Sequence, residues 1–286
     1  MTERVKMLRS QSLAAVPAVS HERGILVTEA TMSAGPLPGP LRRAHVFRNL
    51  MERQTVVIND GELIVGERGP APKATSTYPE LCCHTLEDLA ILDTRSKISF
   101  CVSEETKDVY RERIIPFWKG KTMRERIFGM MDGEWKDAYE AGIFTEFMEQ
   151  RAPGHTVLDG KIYHKGMLDF INDIDRATEK LDFFNDSQAY HRQEELKGMR
   201  IAAEAIMAYA DRYAAKARSL ADQETDPARR QELERIAGVC SRVPARAPRD
   251  FWEAIQYYWF VHLGVTKELN TWDAFSPPLL ILEKSV

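Results

Sequence analysis

The sequence predicts a mainly α-helical chain with one short β-hairpin, and three observations support this prediction. Apolar residues recur at helical spacing over residues 188–223, with charged residues on the other face. Residues 250–265 are apolar almost all round, which is typical of a helix buried in a large core. In contrast, the β-favouring runs TVVIN and ELIVG stand on either side of Asp60-Gly61, a dipeptide that tolerates positive φ. This last pattern predicts a hairpin over residues 55–66.

Several helix starts are marked by residues that cap a first turn or that suit its geometry. They stand at Ser20, Pro40, Thr85 with Asp88, Ser103, and Asp226 with Pro227. The short connection before Asp226 predicts that helix 188–223 packs antiparallel to the helix that follows it. A chain of 286 residues is expected to have too little mass to cover the apolar helix 250–265, so we expect apolar surface of that helix to stay exposed.

The composition is that of an ordinary globular protein, and it excludes several classes of function. The formal net charge is −4, and the 39 basic residues are interleaved with 43 acidic ones, so nucleic acid is not expected as a partner. We find neither a signal peptide nor an apolar run long enough to cross a bilayer, which favours a cytoplasmic protein without a membrane partner. The four cysteines are too few for a disulfide scaffold and are interpreted as reduced thiols.

The segment FTEFMEQRAPGHT, residues 144–156, has the composition of a site. The turn at Pro153-Gly154 can direct His155 and Arg151 into a cavity, where histidine can move a proton and arginine can bind a carboxylate. On spacing alone a structural interpretation is favoured, in which Arg151 pairs with a nearby glutamate and His155 is a satisfied structural residue of the loop. Asp273, after an aromatic residue, is likewise either a carboxylate at a cavity wall or a turn residue that binds backbone N–H groups.

The sequence Cys82-Cys83-His84, with Glu80 nearby, is a weak candidate for a metal site. Adjacent ligands constrain one another, and neither CxxC nor HxxxH spacing is present to complete a tetrahedral set. No metal is therefore expected, and the cysteines are interpreted as residues that line the core or a loop.

Four blocks, taken in order, resemble the N-terminal portion of glycyl radical enzymes of the pyruvate formate-lyase superfamily, and most closely the branch that dehydrates trans-4-hydroxy-L-proline. They are INDGELIVGERG (58–69), TYPELCCHTLEDL (77–89), FTEFMEQRAPGHT (144–156) and YWFVHLGVTKELNTWDAFSP (258–277). The resemblance covers nearly the whole chain up to Pro277. Several long blocks in one order are a far more specific signal than any single motif.

The resemblance implies a fold and a chemistry. We expect the chain to be the N-terminal part of a ten-stranded α/β barrel, in an anaerobic lyase whose glycyl radical is installed by a radical S-adenosylmethionine activating enzyme. A cysteine thiyl then abstracts hydrogen from a small polar, hydroxyproline-like substrate. Carried over by matching motif, Phe147 and His155 line the substrate pocket and Asp273 contacts the polar groups of the substrate. This chain is expected to bind no cofactor of its own.

The chain also departs from the family pattern. The radical-bearing Arg-Val-x-Gly element is absent, since Arg4-Val5 and Arg242-Val243 lack the glycine, and no cysteine stands in a Gly-Cys-x-Glu loop. We therefore expect no catalytic residue of the radical chemistry here, and an N-terminal fragment that is inactive alone. Residues 1–277 are assigned to the family domain, and residues 278–286 are interpreted as a frameshifted or non-native tail.

Two further hypotheses remain open at this point. The chain can be half of a split enzyme that acts on another small substrate, such as glycerol, a diol or formate, and that joins a missing C-terminal half through the apolar helix or forms a homodimer. Alternatively, it is a non-catalytic binding protein that keeps only the helical layer.

Overall fold

The computed structural model describes residues 1–144 and 158–269, and most of these residues are helical. The first helices are α1 (Glu3–Ala14), α2 (Glu22–Ser33), α3 (Gly39–Arg53), α4 (Leu86–Thr94), α5 (Glu104–Val109), α6 (Ile115–Trp118), α7 (Met123–Met130) and α8 (Gly133–Glu140). The later ones are α9 (Met167–Glu179), α10 (Ala189–Gln223), α11 (Pro227–Arg242) and α12 (Phe251–Leu269). A π-helical turn, Tyr110–Ile114, joins α5 to α6, and a 3-10 turn, Asp159–Tyr163, precedes α9.

Most of the helix starts predicted from capping residues are confirmed, but the N-cap of α2 is His21 and not Ser20, which ends β1. Thr85 and Asp88 form a reciprocal capping box at α4, and Ser103 accepts a hydrogen bond from the backbone of the first turn of α5. Asp226 does the same for α11, whose first residue is Pro227. These side chains satisfy N–H groups that no helical carbonyl can reach, so the local sequence alone determines where the helices begin.

The predicted β-hairpin over residues 55–66 is wrong, because this described segment contains a turn but no strand. Its backbone is paired with side chains of α12 instead of with a second strand. The amide of Gln256 donates to the carbonyl oxygen of Val65 and accepts from its N–H, each at 2.8 Å. Trp252 and Trp259 donate indole N–H groups to the carbonyls of Leu63 and Gly66. The β-favouring residues thus form an extended loop held against a helix.

The strands that do form are short. β1 (Ala18–Ser20) pairs in parallel with β2 (Ala74–Ser76), with Val19 opposite Thr75. The described residues contribute only this two-stranded sheet, so the ten-stranded barrel stays a prediction.

The core lies around α10, which packs against α3 on one side and against α11 on another. The predicted antiparallel packing of α10 and α11 is confirmed, because only three residues connect these two helices and the helices pack against each other. Alanines dominate the buried face of α10, which lets the neighbouring helices approach closely. They are Ala189, Ala203, Ala205, Ala210, Ala214, Ala217 and Ala221.

Helix α12 corrects the expectation that the apolar segment 250–265 would be left exposed. Its side chains Tyr257, Phe260 and Leu263 are fully buried by α10, α3 and the loop 57–67. The helix reaches α10 closely at Gly264, where a Cβ atom would lie 2.4 Å from Cδ1 of Ile206. The chain therefore covers most of this helix by itself. None of the described helices combines the length and the hydropathy needed to cross a membrane.

Candidate functional site

The side chains that the resemblance assigns to the substrate, Phe147, His155 and Asp273, lie outside the described residues. The structure instead places the described residues that flank them. Leu158 follows the segment that carries Phe147 and His155, and Glu268 stands close before the segment that carries Asp273. Both Leu158 and Glu268 line one cavity of about 490 Å³. Two described residues that are 110 positions apart in sequence, Leu158 and Glu268, thus line the same cavity.

This first cavity is mostly apolar and lies between α3, α9, α10 and α12. Phe47, Met167, Phe170 and Val261 are among the residues that form its wall. Its charged rim includes Glu268, whose carboxylate accepts hydrogen bonds from Nη2 and Nε of Arg43 at 2.5 and 2.9 Å. A small molecule with an apolar body and a charged end fits such a wall and rim.

A second cavity, of about 400 Å³, is also lined by Arg43 and Glu268. The two cavities share Arg43, Phe47 and Glu268, and the second one adds Arg23 and Glu80. The end of α12 therefore contributes to both cavities, and the second one has several charged groups in its wall.

Arg23 is the most constrained charged residue of this region, with only 1% of its surface exposed. Its Nη1 and Nη2 donate to the two carboxylate oxygens of Glu80, at 3.2 and 2.5 Å. Nη1 also donates to the carbonyl of Thr77 at 2.9 Å, Nη2 donates to the carbonyl of Glu268 at 3.1 Å, and Nε donates to the carbonyl of Lys267. A guanidinium group has five N–H donors, and each of them has an acceptor here.

Tyr78 contacts both Arg23 and the end of α12. Its ring lies 3.8 Å from the guanidinium carbon of Arg23, and its hydroxyl donates to the carbonyl of Thr266. Burial raises the pKa of Tyr78, although the charge of Arg23 partly opposes this, so the hydroxyl stays protonated and remains a donor at neutral pH. Arginine and tyrosine together bind three consecutive carbonyls at the end of α12.

Lys267 points the other way, into the core. Its Nζ donates to the hydroxyl of Tyr209 at 2.9 Å, and that hydroxyl lies 3.3 Å from the hydroxyl of Tyr213. Burial lowers the pKa of Lys267 to about 7, and the carboxylate of Glu22 only partly offsets this. Burial disfavours the charged form of such a lysine. Its hydrogen bond to Tyr209 connects the end of α12 to α10.

The cysteines and the candidate metal ligands do not assemble into a site within the described residues. All four cysteines are free thiols, and burial raises the pKa of Cys83 and Cys240 to about 12. Burial also lowers the pKa of His84. In residues 1–144 and 158–269, no three His, Cys, Asp or Glu side chains are grouped to hold a metal ion.

Sequence reasoning missed Arg23, Tyr78 and Lys267. One signal was available for Arg23, because it precedes Val27 and Ala30 at helical spacing and thus shares their buried face. Lys267 follows the buried Phe260 and Leu263 at the same helical spacing, but a lysine in the last turn of a helix usually faces solvent and stabilises the negative end of the helix dipole.

Comparisons with known proteins agree with this architecture. The family model described as pyruvate formate lyase-like matches residues 1–278. The chain is 51% identical over 276 residues to trans-4-hydroxy-L-proline dehydratase of Clostridioides difficile, which is 96% of this chain and 35% of the relative. A crystal structure of hydroxyproline dehydratase from the same organism, with trans-4-hydroxy-L-proline bound, superposes with a TM-score of 0.92 at 50% identity, over 97% of this chain and 35% of the other.

Two more distant structures extend the comparison. The B12-independent glycerol dehydratase from Clostridium butyricum, bound to glycerol, has a TM-score of 0.87 at 33% identity and covers 94% of this chain and 34% of its own. A glycyl radical enzyme from Archaeoglobus fulgidus has a TM-score of 0.84 at 28% identity, over 93% of this chain and 34% of that one. The chain spans about a third of the length of these relatives. It belongs to the pyruvate formate lyase-like family.

Proposed function

We propose that this chain is the N-terminal part of a glycyl radical dehydratase that removes water from trans-4-hydroxy-L-proline. The observation that carries the proposal is the near-complete match to the hydroxyproline dehydratase, with a TM-score of 0.92 over 97% of this chain. The two more distant structures are less similar in both sequence and fold score. The cavity lined by Leu158 and Glu268 supports the proposal, because these two described residues stand close in sequence to the segments that carry the predicted substrate contacts.

In this proposal, the three predicted substrate-binding residues have different roles. Phe147 packs against the substrate ring and excludes water. Asp273 accepts hydrogen bonds from the substrate's hydroxyl or ammonium group and so fixes its orientation. His155 donates a proton to the departing hydroxyl, so that the group leaves as water instead of hydroxide. The family's glycyl radical and thiyl cysteine supply the hydrogen abstraction, and we place both outside this chain.

The first experiment tests the whole-protein activity. The coding DNA is sequenced through and beyond codon 286, and the 286-residue chain is produced both alone and together with what the downstream DNA encodes in each frame. Each preparation is treated without oxygen with an activating enzyme and S-adenosylmethionine. We expect the chain alone to give no glycyl radical signal by electron paramagnetic resonance, and the completed protein to give the signal and to consume hydroxyproline.

Substrate choice and site residues are tested in the completed protein. Hydroxyproline should be consumed faster than glycerol or isethionate, and a preference for glycerol would refute the substrate we name. His155→Gln and Asp273→Asn should each lower kcat/KM for hydroxyproline about 10²-fold or more, as expected for general acid catalysis and for orientation of the substrate. His191→Gln, at an exposed position on α10, is the matched control and should be neutral.

A second candidate, half of a split enzyme, is favoured by one surface. Met123, Ile127 and Met130 lie on one face of α7 and are 50%, 45% and 87% exposed. An apolar face of this kind commonly receives another protein surface. This surface therefore replaces the buried helix α12 as the place where a separate polypeptide would bind. Co-purification of a downstream gene product that is lost in Met130→Lys, but kept in Glu134→Lys, would support this candidate.

A further inference from the structure

The second cavity has room for a small molecule. Its volume of about 400 Å³ lies in the range of sites that bind such ligands. Described residues of α2, α3, α6 and α7 form its wall, together with Glu80 and Leu81 from the loop before α4 and Glu268 from the last turn of α12. Elements that are distant in sequence therefore enclose one space, and its chemistry follows from the side chains that they contribute.

The apolar part of the cavity keeps its shape without a ligand. Val27, Leu50 and Trp118 lie in the wall and are almost fully buried. The indole N–H of Trp118 donates to Oγ1 of Thr28 at 2.8 Å, and the ring of Phe117 packs edge-on against the indole with 5.0 Å between the ring centroids. Because these side chains are already fixed by packing and hydrogen bonding, a ligand would not have to order them, which lowers the cost of binding.

The side of the cavity formed by α7 is fixed by backbone hydrogen bonds. The N–H of Met123 donates to the carbonyl of Glu80 at 2.9 Å, and the N–H of Arg124 donates to the carbonyl of Leu81 at 3.0 Å. Met123, Glu80 and Leu81 all line the cavity. The start of α7 is thus joined to the loop that forms the neighbouring wall, and Arg126 is carried on this fixed element.

The charges in the wall do not balance. Five cationic side chains and two carboxylates line the cavity. Both carboxylates have a cationic partner, since Glu80 binds Arg23 and Glu268 binds Arg43. Three cations remain, and we call them the unpaired cations. They are Arg42, Lys121 and Arg126.

The unpaired cations have no carboxylate partner within residues 1–144 and 158–269. Lys121 instead places Nζ 4.0 Å from the centroid of the Phe117 ring, which is part of the cavity wall. Arg42 and Arg126 are exposed and come from two different helices, α3 and α7. Positive charges beside an apolar wall of low dielectric attract an anion more strongly than the same charges on an open surface.

We propose that this second cavity is a binding site for a small organic anion with an aromatic or branched aliphatic body. The body lies against Leu50, Phe117 and Trp118, and the anionic group, a carboxylate in the simplest case, lies among the unpaired cations. Arginine suits this role because its N–H groups can bind both oxygens of a carboxylate. This ligand is additional to the substrate named above, and the inference does not depend on the dehydratase activity.

The first test is isothermal titration calorimetry with the 286-residue chain. The probes are 4-phenylbutyrate, its neutral amide 4-phenylbutyramide, and acetate, which has the charge but no apolar body. We expect 4-phenylbutyrate to bind with a Kd of about 1 mM or lower, a value typical of a ligand of this size. The amide and acetate should each bind about tenfold more weakly or not at all. Equal affinity for 4-phenylbutyrate and its amide would overturn the proposal.

Substitutions locate the site. Arg42→Gln and Arg126→Gln should each weaken binding of 4-phenylbutyrate about two- to fivefold, as is usual for an exposed charge, and the double variant about tenfold or more. Both arginines are exposed, so their loss leaves the core intact. Val46→Trp fills the apolar part of the cavity and should abolish binding, although it changes no charge. Full binding by Val46→Trp would overturn the proposal; if this variant does not fold, the double arginine variant decides the same question.

The matched control is Arg9→Gln. Arg9 is an exposed arginine of α1 that does not line the cavity, and its loss changes the net charge by the same amount. Affinity for 4-phenylbutyrate should stay at the wild-type value. A loss in Arg9→Gln as large as that in Arg42→Gln would contradict the proposal, since it would show attraction to the net charge of the chain instead of binding at a site.

The same titration is then made with the completed protein. We expect 4-phenylbutyrate to bind with the affinity measured for the chain alone, and to be weakened by Arg42→Gln and Arg126→Gln as before. Loss of binding in the completed protein would overturn the proposal, because the cavity would then be covered by the rest of the protein. The dehydration assay tests the proposed function separately, so either proposal can fail while the other stands.

Discussion

The two ends of α12 are fixed by different means. At its start, Glu253 is 1% exposed and its carboxylate accepts from Arg249 and Arg242, while its own N–H donates to Asp250. These partners are three to eleven residues away in sequence. At its end, Tyr78 and Arg23 bind the last carbonyls from 188 and up to 245 residues away. The start of this helix is thus stabilised by residues close to it in sequence. Its end is stabilised by residues that come near it only when the chain is folded.

The largest effect is expected at the distant end. Arg23→Gln leaves Glu80 and several carbonyls without their donor, and we expect the free energy of unfolding to fall by about 3 kcal/mol. Urea unfolding followed by circular dichroism measures this. Arg113→Gln removes an ion pair from the surface of α2 and should cost at most about 1 kcal/mol. Equal losses in the two variants would mean that burial of Arg23 adds nothing.

At the local end, Glu253→Gln should cost about 2 kcal/mol at pH 7. Burial raises the pKa of Glu253, but hydrogen bonds from Arg249 and Arg242 more than offset this, so the pKa lies below its usual value of 4.5. A carboxyl with a lowered pKa stabilises the fold at higher pH, and this contribution is lost as the pH falls through the folded-state pKa. The difference between wild type and Glu253→Gln should therefore shrink below about pH 4.

Glu234→Gln, at an exposed position of α11, is the control for that experiment and should show no comparable difference. A loss in Glu253→Gln that stays the same at every pH would show that packing, and not the charge of the carboxylate, is what Glu253 contributes.

Lys267 is expected to make the stability depend on pH for the opposite reason, because the fold disfavours the charged form of this side chain. Its pKa is lowered from 10.5 to about 7 in the folded state, so between these values the unfolded chain binds more protons than the folded one. Stability should therefore rise with pH from about 7 to about 9, with a slope of up to about 1.4 kcal/mol per pH unit from this group. Lys267→Met should flatten the rise in a pH series of thermal unfolding.

Cys83 and Cys240, whose pKa values are raised, also make the stability depend on pH above about pH 9. This contribution is the same in wild type and Lys267→Met, so it cancels when the two are compared. Lys216→Met, at an exposed position of α10, should leave the slope unchanged. An unaltered slope in Lys267→Met would mean that the buried ammonium is paired well enough to stay charged.

The smallest effect is expected from Tyr78→Phe, which removes one hydroxyl from the end of α12 but keeps the ring beneath Arg23. The free energy of unfolding should fall by about 1 kcal/mol, the usual net value of one hydrogen bond. Tyr190→Phe, at a residue that is 60% exposed, is the matched control and should be neutral in the same urea titration. A loss as large as that of Arg23→Gln would mean that Tyr78, and not Arg23, holds the helix end.

Local sequence determined much of this protein. Capping side chains such as Thr85, Ser103 and Asp226 act within a few residues, and the apolar period of α10 is readable because a helix face repeats every three to four residues. The family resemblance also rests on sequence alone and is confirmed by the match over residues 1–278. The roles of Phe147, His155 and Asp273 stay predictions, because these residues lie outside the described part of the chain.

Tertiary structure decided the rest. The segment 55–66 has the residues of a hairpin, yet Gln256 binds both backbone groups of Val65 and so takes the place of a partner strand. Likewise, whether Lys267 faces solvent or Tyr209, and whether Arg23 lies on the surface or against α12, depends on which distant element packs there. A local pattern specifies hydrogen bonds within a turn or two. It does not specify the partner of a backbone group that must be satisfied from the other end of the chain.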